Sequence, residues 1–166
     1  MLALLIALLA QVQQPGLTGQ IEPLAFVVGS CWRGTFPDGR RIDTHCFTPM
    51  LGGNFVRDLH VVEGSPAPYS GETLYRWDSE ARRIVYDYYA SDGSHSAGIA
   101  LSAANGLLFP EEAHRARDGS ETLIRSAWTR DGADAYVVVA ESMRGDSWQQ
   151  LWQMRMVRVG PAVPPR

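Results

Sequence analysis

The 166-residue sequence contains no lysine, and all 15 of its basic residues are arginine. Lysine supplies the amine of Schiff-base enzymes and the phosphate-binding cation of P-loop sites, so both classes are excluded. The formal net charge is -3, and no segment concentrates the arginines. Because nucleic-acid-binding domains carry basic patches, no nucleic-acid partner is expected.

The motifs of several common enzyme classes are also missing. The sequence has no Gly-x-Ser-x-Gly elbow, no His-Glu-x-x-His or Cys-x-x-Cys motif and no Gly-x-Gly-x-x-Gly loop. These motifs are typical of hydrolases, metal sites and dinucleotide-binding enzymes. We therefore predict no cofactor and no motif-defined metal, and we assign no residue a catalytic role.

Long apolar runs are scarce, and Leu2–Ala10 is a run of nine apolar residues. Nine residues match the hydrophobic core of a secretory signal peptide and are about half the ~20 needed to span a bilayer. The sequence predicts a signal peptide at 1–10, a disordered lead-in at 11–20 and a periplasmic or secreted protein with no integral membrane span. A mis-assigned start codon or a frayed apolar N-terminus is the alternative.

Turn-forming sequences recur throughout the rest of the chain. Gly, Asp, Asn, Pro and Ser concentrate at 37–39, 51–53, 64–66, 79–81, 91–93, 105–106, 117–119, 131–132 and 144–146. The ten segments between them carry β-branched and aromatic residues in period-two alternation, as in Ile84–Tyr89.

No amphipathic helix of three turns is present, and Ile21–Gly29 contains one short apolar turn. Ten short strands joined by hairpin-length turns are expected to close on themselves. We predict an all-β, up-and-down antiparallel barrel of about ten strands over 21–159, with a short N-terminal helical turn and a flexible tail at 160–166.

The only two cysteines, Cys31 and Cys46, fall on the first two predicted strands. A four-residue hairpin loop closed by Phe36 and Arg41 places them directly opposite each other, as a non-hydrogen-bonded pair. That arrangement suits a disulfide in an exported chain. A type I turn with a bulge at Gly39 is the alternative and separates the two thiols by one position.

An Asp-x-His pattern occurs twice, and each pair lies on one face of its predicted strand. If the intervening turn centres on Leu51–Gly52, Asp43 faces His60 and His45 faces Asp58 across the two strands. Such a group of four can hold a divalent metal, bind a polar head group or carry acid-base chemistry.

The same four side chains also suit two simpler arrangements. Asp and His pair across strands on solvated barrel exteriors, and a one-residue slip of the hairpin moves one pair to the other face. The remaining histidines have no acid partner at strand spacing. We predict that His114 lies on the loop surface and His95 lies near a turn.

Aromatic side chains form a second group. Tyr75 and Trp77 share one strand face, and Tyr86 and Tyr88 share a face of the next strand. The last strand places large side chains on one face: Trp148, Gln150, Trp152, Met154 and Met156. A ten-stranded barrel is wide enough for these rings to line a ligand cavity, and packing of a filled core is the alternative.

The segment Gly29–Gly34 has the form Gly-x-x-Trp-x-Gly, follows one helical turn and precedes the predicted meander. This opening resembles the calycin superfamily, the barrels of lipocalins, fatty-acid-binding proteins and nitrobindins. A bacterial group within that superfamily also resembles the chain at Leu51–Phe55, Tyr69–Asp78 and Ser91–Gly93.

The resemblance implies an internal cavity for a small, largely apolar molecule. It also implies that Trp32 faces inward near the closed end and stacks under a basic side chain of the last strand, Arg155 or Arg158. His45, opposite Trp32, and the other Asp-x-His residues would then face inward too. The last two strands contain no histidine, so haem binding of the nitrobindin kind is not expected.

Three functions fit these features. The first is an exported barrel that binds a small hydrophobic or amphipathic molecule without catalysis, with Trp32, Asp43, His45, Asp58 and His60 among its candidate ligand contacts. The second is an enzyme or metal site that uses the Asp and His side chains. The third is a filled barrel that acts through its surface. The sequence gives no indication of which proteins, if any, the barrel contacts.

Overall fold

Ten antiparallel strands close into a barrel in the computed structural model, which describes residues 16–163. Each strand pairs with its neighbours in the chain, and the last strand also pairs with the first. The strands are β1 Ser30–Thr35, β2 Ile42–Met50, β3 Phe55–Glu63, β4 Tyr69–Asp78, β5 Arg83–Ala90, β6 His95–Ala103, β7 Gly106–Arg115, β8 Glu121–Arg130, β9 Ala135–Arg144 and β10 Ser147–Pro161. The predicted signal peptide at 1–10 lies outside the described residues.

The nine predicted turns lie at the junctions of consecutive strands. In several of them an aspartate stabilises the turn: Asp38, Asp78 and Asp118 each accept a hydrogen bond from the backbone N–H two residues later. The prediction of an all-β, up-and-down barrel with a short N-terminal helical turn is therefore confirmed. Across 16–163, no helix combines the length and apolar character needed to cross a membrane.

Ordered structure extends slightly beyond the predicted barrel limits at both ends. The 3-10 helix Gly19–Leu24 begins before Ile21, where structure was predicted to start, and the Thr18 N–H donates to the Gly53 carbonyl. At the other end β10 continues to Pro161, within the segment predicted to be a flexible tail. The Ala162 N–H then donates to the Gly29 carbonyl. Backbone hydrogen bonds therefore hold the segments around Thr18 and Ala162 to the barrel.

The 3-10 helix closes one end of the barrel. Its apolar side chains Ile21 and Leu24 are buried, as is Trp32 at the start of β1. The Trp32 indole N–H donates to the Val27 carbonyl at 2.9 Å, which holds the ring against the segment that follows the helix. The guanidinium carbon of Arg158 lies 4.3 Å from the centre of the Trp32 ring, a cation-π distance.

The second candidate for that stacking position, Arg155, lies elsewhere. Its Nε donates to Asp131 at 2.7 Å, and the pair is exposed. Arg155 and Arg158 are three residues apart on an alternating strand, so their side chains leave opposite faces of β10. Only Arg158 can therefore reach Trp32.

The β1–β2 hairpin has the predicted register. Cys31 pairs with Cys46 and Trp32 pairs with His45. Phe36 and Arg41 close the loop through a backbone hydrogen bond. The predicted Cys31–Cys46 disulfide is present, with the two Cα atoms 4.0 Å apart, and there is no free cysteine in 16–163.

We expect this disulfide to stabilise the barrel by about 3 kcal/mol, because it closes a loop of about 15 residues in the unfolded chain. The paired substitutions Cys31→Ser and Cys46→Ser should lower the free energy of unfolding by that amount, measured by urea denaturation. Adding a reductant to the wild-type protein should reproduce the loss and leave the double variant unchanged. Equal stability of oxidised and reduced wild type would contradict the prediction.

The predicted register of the β2–β3 hairpin is wrong by two residues. His45 pairs with His60, Asp43 with Val62, and Phe47 with Asp58. The connection is a four-residue loop containing the short 3-10 turn Leu51–Gly53, so its centre lies one residue later than predicted. A shift of two residues in the pairing leaves each side chain on its original face.

A β-bulge between Gln150 and Trp152 interrupts β10. The bulge changes the alternation of the strand, so Leu151 and Trp152 both line the barrel interior, together with Met154 and Met156. Trp148 instead stacks against Arg125, whose guanidinium carbon lies 4.5 Å from its ring centre. The prediction that 148, 150, 152, 154 and 156 share one face therefore holds only after the bulge.

Candidate functional site

The barrel encloses a cavity of about 460 Å³, within the range of small-molecule sites. Its lower part lies above the closed end, where Tyr136 and Met156 line it. Its upper part reaches the β1–β2 and β3–β4 hairpins, where Phe36, Arg41 and Ser65 line it. The cavity walls combine one polar region and one aromatic region.

The polar region is a group of six hydrogen-bonded side chains, which we call the polar network: Asp43, His45, Asp58, His60, Tyr69 and Tyr88. All six line the cavity, and they come from the four adjacent strands β2 to β5. Asp43, Asp58 and His60 are buried. Period-two alternation places them on the inner face of their strands.

His45 lies between two carboxylates. Its Nδ1 is 2.8 Å from Asp58 Oδ2, and its Nε2 is 3.2 Å from Asp43 Oδ2. An ionised carboxylate can only accept hydrogen bonds, so both ring nitrogens of His45 must donate. His45 is therefore held as an imidazolium.

The electrostatics agree with this protonation state. Burial by itself lowers the pKa of His45, but the charges of Asp58 and Asp43 outweigh it and raise the pKa to about 10. Burial also opposes ionisation of Asp43. The charge of His45 and hydrogen bonds from His45 and His60 nevertheless hold the pKa of Asp43 well below its usual range.

His60 extends the network toward the mouth of the barrel. Its Nδ1 is 3.0 Å from Asp43 Oδ1, and its Nε2 is 3.1 Å from the Tyr88 hydroxyl. The Tyr88 hydroxyl is in turn 2.7 Å from that of Tyr69. Burial raises the pKa of both phenols, so each keeps its proton at neutral pH.

Gly71 makes room for this part of the network. A Cβ atom at Gly71 would lie 2.4 Å from the Tyr88 ring and 2.5 Å from His60 Nε2. Gly71 pairs with His60 on one side and Ala90 on the other, in the middle of the sheet. Any side chain at this position would displace the His60–Tyr88 hydrogen bond.

The aromatic region comes from β4, β5, β7 and β8, so it shares two strands with the polar network. Tyr75, Tyr86, Phe109 and Trp128 form a continuous series, with successive ring centres 4.8 to 5.7 Å apart. The Tyr86 hydroxyl donates to a carboxylate oxygen of Glu112. Burial and the Glu112 charge raise the pKa of Tyr86, which remains protonated.

The structure brings most of the predicted site residues to one cavity, and leaves two aromatic residues outside its lining. The predicted residues that line it are Asp43, His45, Asp58, His60, Tyr75, Tyr86, Tyr88 and Trp152. Trp32 lies buried at the closed end. Trp77 is partly buried against the core at the far end of β4, where it pairs with Ile84.

Several titratable residues of the cavity were not predicted from the sequence, among them Tyr69, Glu112, His114 and Tyr136. The prediction that His114 lies on the loop surface is wrong, because it lies within β7 and lines the cavity. A bulge between Phe109 and Glu112 shifts the alternation of β7 and turns Glu112 inward. The inward position of Tyr69 could have been predicted, because Tyr69 lies an even number of residues from Tyr75 on β4 and so shares its face.

Asp43, His45 and His60 are close enough to be considered as metal ligands, with candidate atoms within 4.8 Å of one another. The two imidazole rings, however, stack with centres 4.7 Å apart and planes inclined by 17°. A metal ion lies in the plane of each histidine ring that binds it, about 2 Å from the nitrogen. Nearly parallel planes at this separation cannot share one ion, so the present arrangement favours hydrogen bonding.

The fold and the site define a closed, ten-stranded antiparallel β-barrel with an internal cavity that has a polar and an aromatic wall. This architecture is compatible with a calycin-like fold. No protein-family model matches the chain, and a search of curated proteins finds no match.

Proposed function

We propose that the barrel binds a small amphipathic molecule in its cavity, with the apolar part against the aromatic region and the polar part against the polar network. The observation that carries this proposal is the juxtaposition of the two walls in one cavity of about 460 Å³. A barrel filled by its own side chains would leave no such space.

The binding surface is adaptable on its apolar side. Met154 and Met156 lie on β10 next to Trp152 and line the cavity. Methionine side chains adjust to irregular apolar shapes, so they suit a ligand that is recognised mainly by its polar end.

The proposal also places the protein in an oxidising compartment. The Cys31–Cys46 disulfide supports this proposal because stable disulfides are rare in the cytosol. A periplasmic or secreted barrel of this kind would carry, store or scavenge its ligand. The same calycin-like function is what the Gly29–Gly34 opening implies.

A cavity-filling substitution tests the proposal. Ala140 is buried and lines the cavity from β9, so Ala140→Leu should occupy part of the ligand volume. We expect the affinity for a solvatochromic apolar dye to fall at least tenfold in this variant. The matched control is Ala127→Leu, which places the same side chain on the outer face of β8 and should bind as wild type does.

Two results would overturn the proposal. One is the absence of saturable binding for a broad panel of apolar and amphipathic dyes, on protein whose circular dichroism shows the folded barrel. The other is equal dye affinity of the wild type and Ala140→Leu, which would place binding outside the cavity.

A further inference from the structure

The hydrogen atoms of the polar network are all used within it. His45 donates from both nitrogens to Asp58 and Asp43. The Nδ1–H of His60 donates to the Asp43 carboxylate, which can only accept, and the Tyr88 hydroxyl donates to His60 Nε2. Tyr88 then accepts from the Tyr69 hydroxyl. The chain of donors runs inward and ends on the two carboxylates.

The polar network leaves some of its hydrogen-bond acceptors without a donor. Asp58 Oδ1 is buried and has no hydrogen-bond partner within 16–163, although the other oxygen of the same carboxylate accepts from His45. A buried carboxylate oxygen without a partner is unfavourable, and a donor that reaches it recovers the lost free energy. The Tyr88 oxygen also keeps a second lone pair.

The charges that line the cavity also favour a cationic ligand. Three carboxylates line the cavity, Asp43, Asp58 and Glu112, and the imidazolium of His45 offsets one of them. The cavity is also lined by two arginines. Each is already paired with a carboxylate: Arg41 with Asp38 and Arg125 with Glu141, both at 2.6 Å.

From these observations we infer that the ligand carries a protonated amine, and that the barrel selects small amphipathic amines over alcohols and carboxylic acids of the same apolar structure. An ammonium group supplies donors for the vacant acceptors and a charge opposite to that of the interior. The surrounding rings of Tyr75, Tyr86 and Trp128 suit a cation through their negative faces. A carboxylate would meet the like charges of Asp43, Asp58 and Glu112. This inference rests on the proposed function and specifies its ligand class.

Three probes that differ only in the head group test the inference: n-octylamine, 1-octanol and octanoate, each titrated calorimetrically into the full chain at pH 7.5. We expect octylamine to bind about tenfold or more tightly than octanol, because charge-assisted hydrogen bonds are about twice as strong as neutral ones. Octanoate should bind more weakly than octanol.

Two variants locate the selectivity. Asp58→Asn places an amide N–H where the vacant oxygen lies. Glu112→Gln removes the negative charge of the Glu112 carboxylate. Each variant should lower the preference for octylamine over octanol several-fold. Octanol affinity should change little. The control is Glu72→Gln, the same change at a carboxylate on the outer face that pairs with Arg57 at 2.7 Å. Because either cavity variant suffices, failure of one to fold does not remove the test.

The outcomes separate the inference from the proposed function. Binding of octanoate or octanol as tight as that of octylamine overturns the amine inference and leaves the cavity as a binding site. A tenfold amine preference that persists in every cavity variant that folds also overturns it. No binding of any of the three probes, together with no binding of the dye panel, overturns the proposed function itself.

Discussion

The free energy of unfolding is expected to fall by about 3–4 kcal/mol between pH 6.5 and pH 9.5, with a maximum slope of about 1.4 kcal/mol per pH unit. The reason is His45, whose pKa of about 10 in the folded protein exceeds the ordinary value of 6.5. In this range the folded chain retains a proton that the unfolded chain has released, so rising pH favours unfolding. The stabilising contribution is complete below pH 6.5.

The other residues with shifted pKa values act outside this window. The pKa of Asp43 is lowered, so its contribution is complete above its ordinary value of 3.8 and is lost only in more acidic solution. Burial raises the pKa of Tyr75, Tyr86 and Tyr88, which destabilises the fold only as unfolded tyrosines ionise near pH 10.

Urea denaturation at four pH values between 6.5 and 9.5 measures the slope. His45→Gln should be less stable than wild type at pH 6.5 and should show little further loss as the pH rises. His95→Gln is the matched control, because His95 is exposed at the start of β6. A wild-type stability that is flat over this range would show that His45 is not held as an imidazolium.

The sequence predicts the barrel because local signals agree along its whole length. Turn residues divide the chain at regular intervals, and alternation then assigns each side chain to a face. The Asp-x-His pairs reached the correct inner face even though their pairing was predicted two positions away, because an even shift preserves the face. The strand face on which a side chain lies is thus predicted more securely from the sequence than its cross-strand partner.

The parts of the site that the sequence does not predict lie next to irregularities in the strands. The bulge before Glu112 and the bulge before Trp152 each change which side chains face inward. Neither bulge is marked by a glycine within its segment. The position of His114 on the cavity wall depends on the first of these bulges. Regular alternation from the start of β7, without the bulge, would place His114 on the outer face.

The stacking of His45 on His60 also follows from the register and not from composition. Had the pairing centred one residue earlier, each histidine would oppose an aspartate and form a separate pair. In the observed register the two rings stack, and Asp43 bridges both. This arrangement couples the four side chains into one network and leaves one oxygen of Asp58 without a partner.

Replacement of the bridging carboxylate, Asp43→Ala, is expected to destabilise the barrel by about 3–5 kcal/mol at pH 7. Asp43 is buried and accepts from His45 at 3.2 Å and from His60 at 3.0 Å. Its loss leaves His60 Nδ1 without an acceptor and leaves the charge of His45 with a single carboxylate partner. Both consequences raise the free energy of the folded state.

Three measurements make this prediction specific to the network. Asp87→Ala removes a carboxylate from the outer face of β5 and should change stability by no more than about 0.5 kcal/mol. Asp43→Asn keeps the size of the side chain but removes its charge, so imidazole titration by NMR should show a lower pKa for His45 than in wild type. If Asp43→Ala cost no more than the Asp87 control, or if Asp43→Asn left the His45 titration unchanged, then Asp43 would not bridge the two histidines in solution.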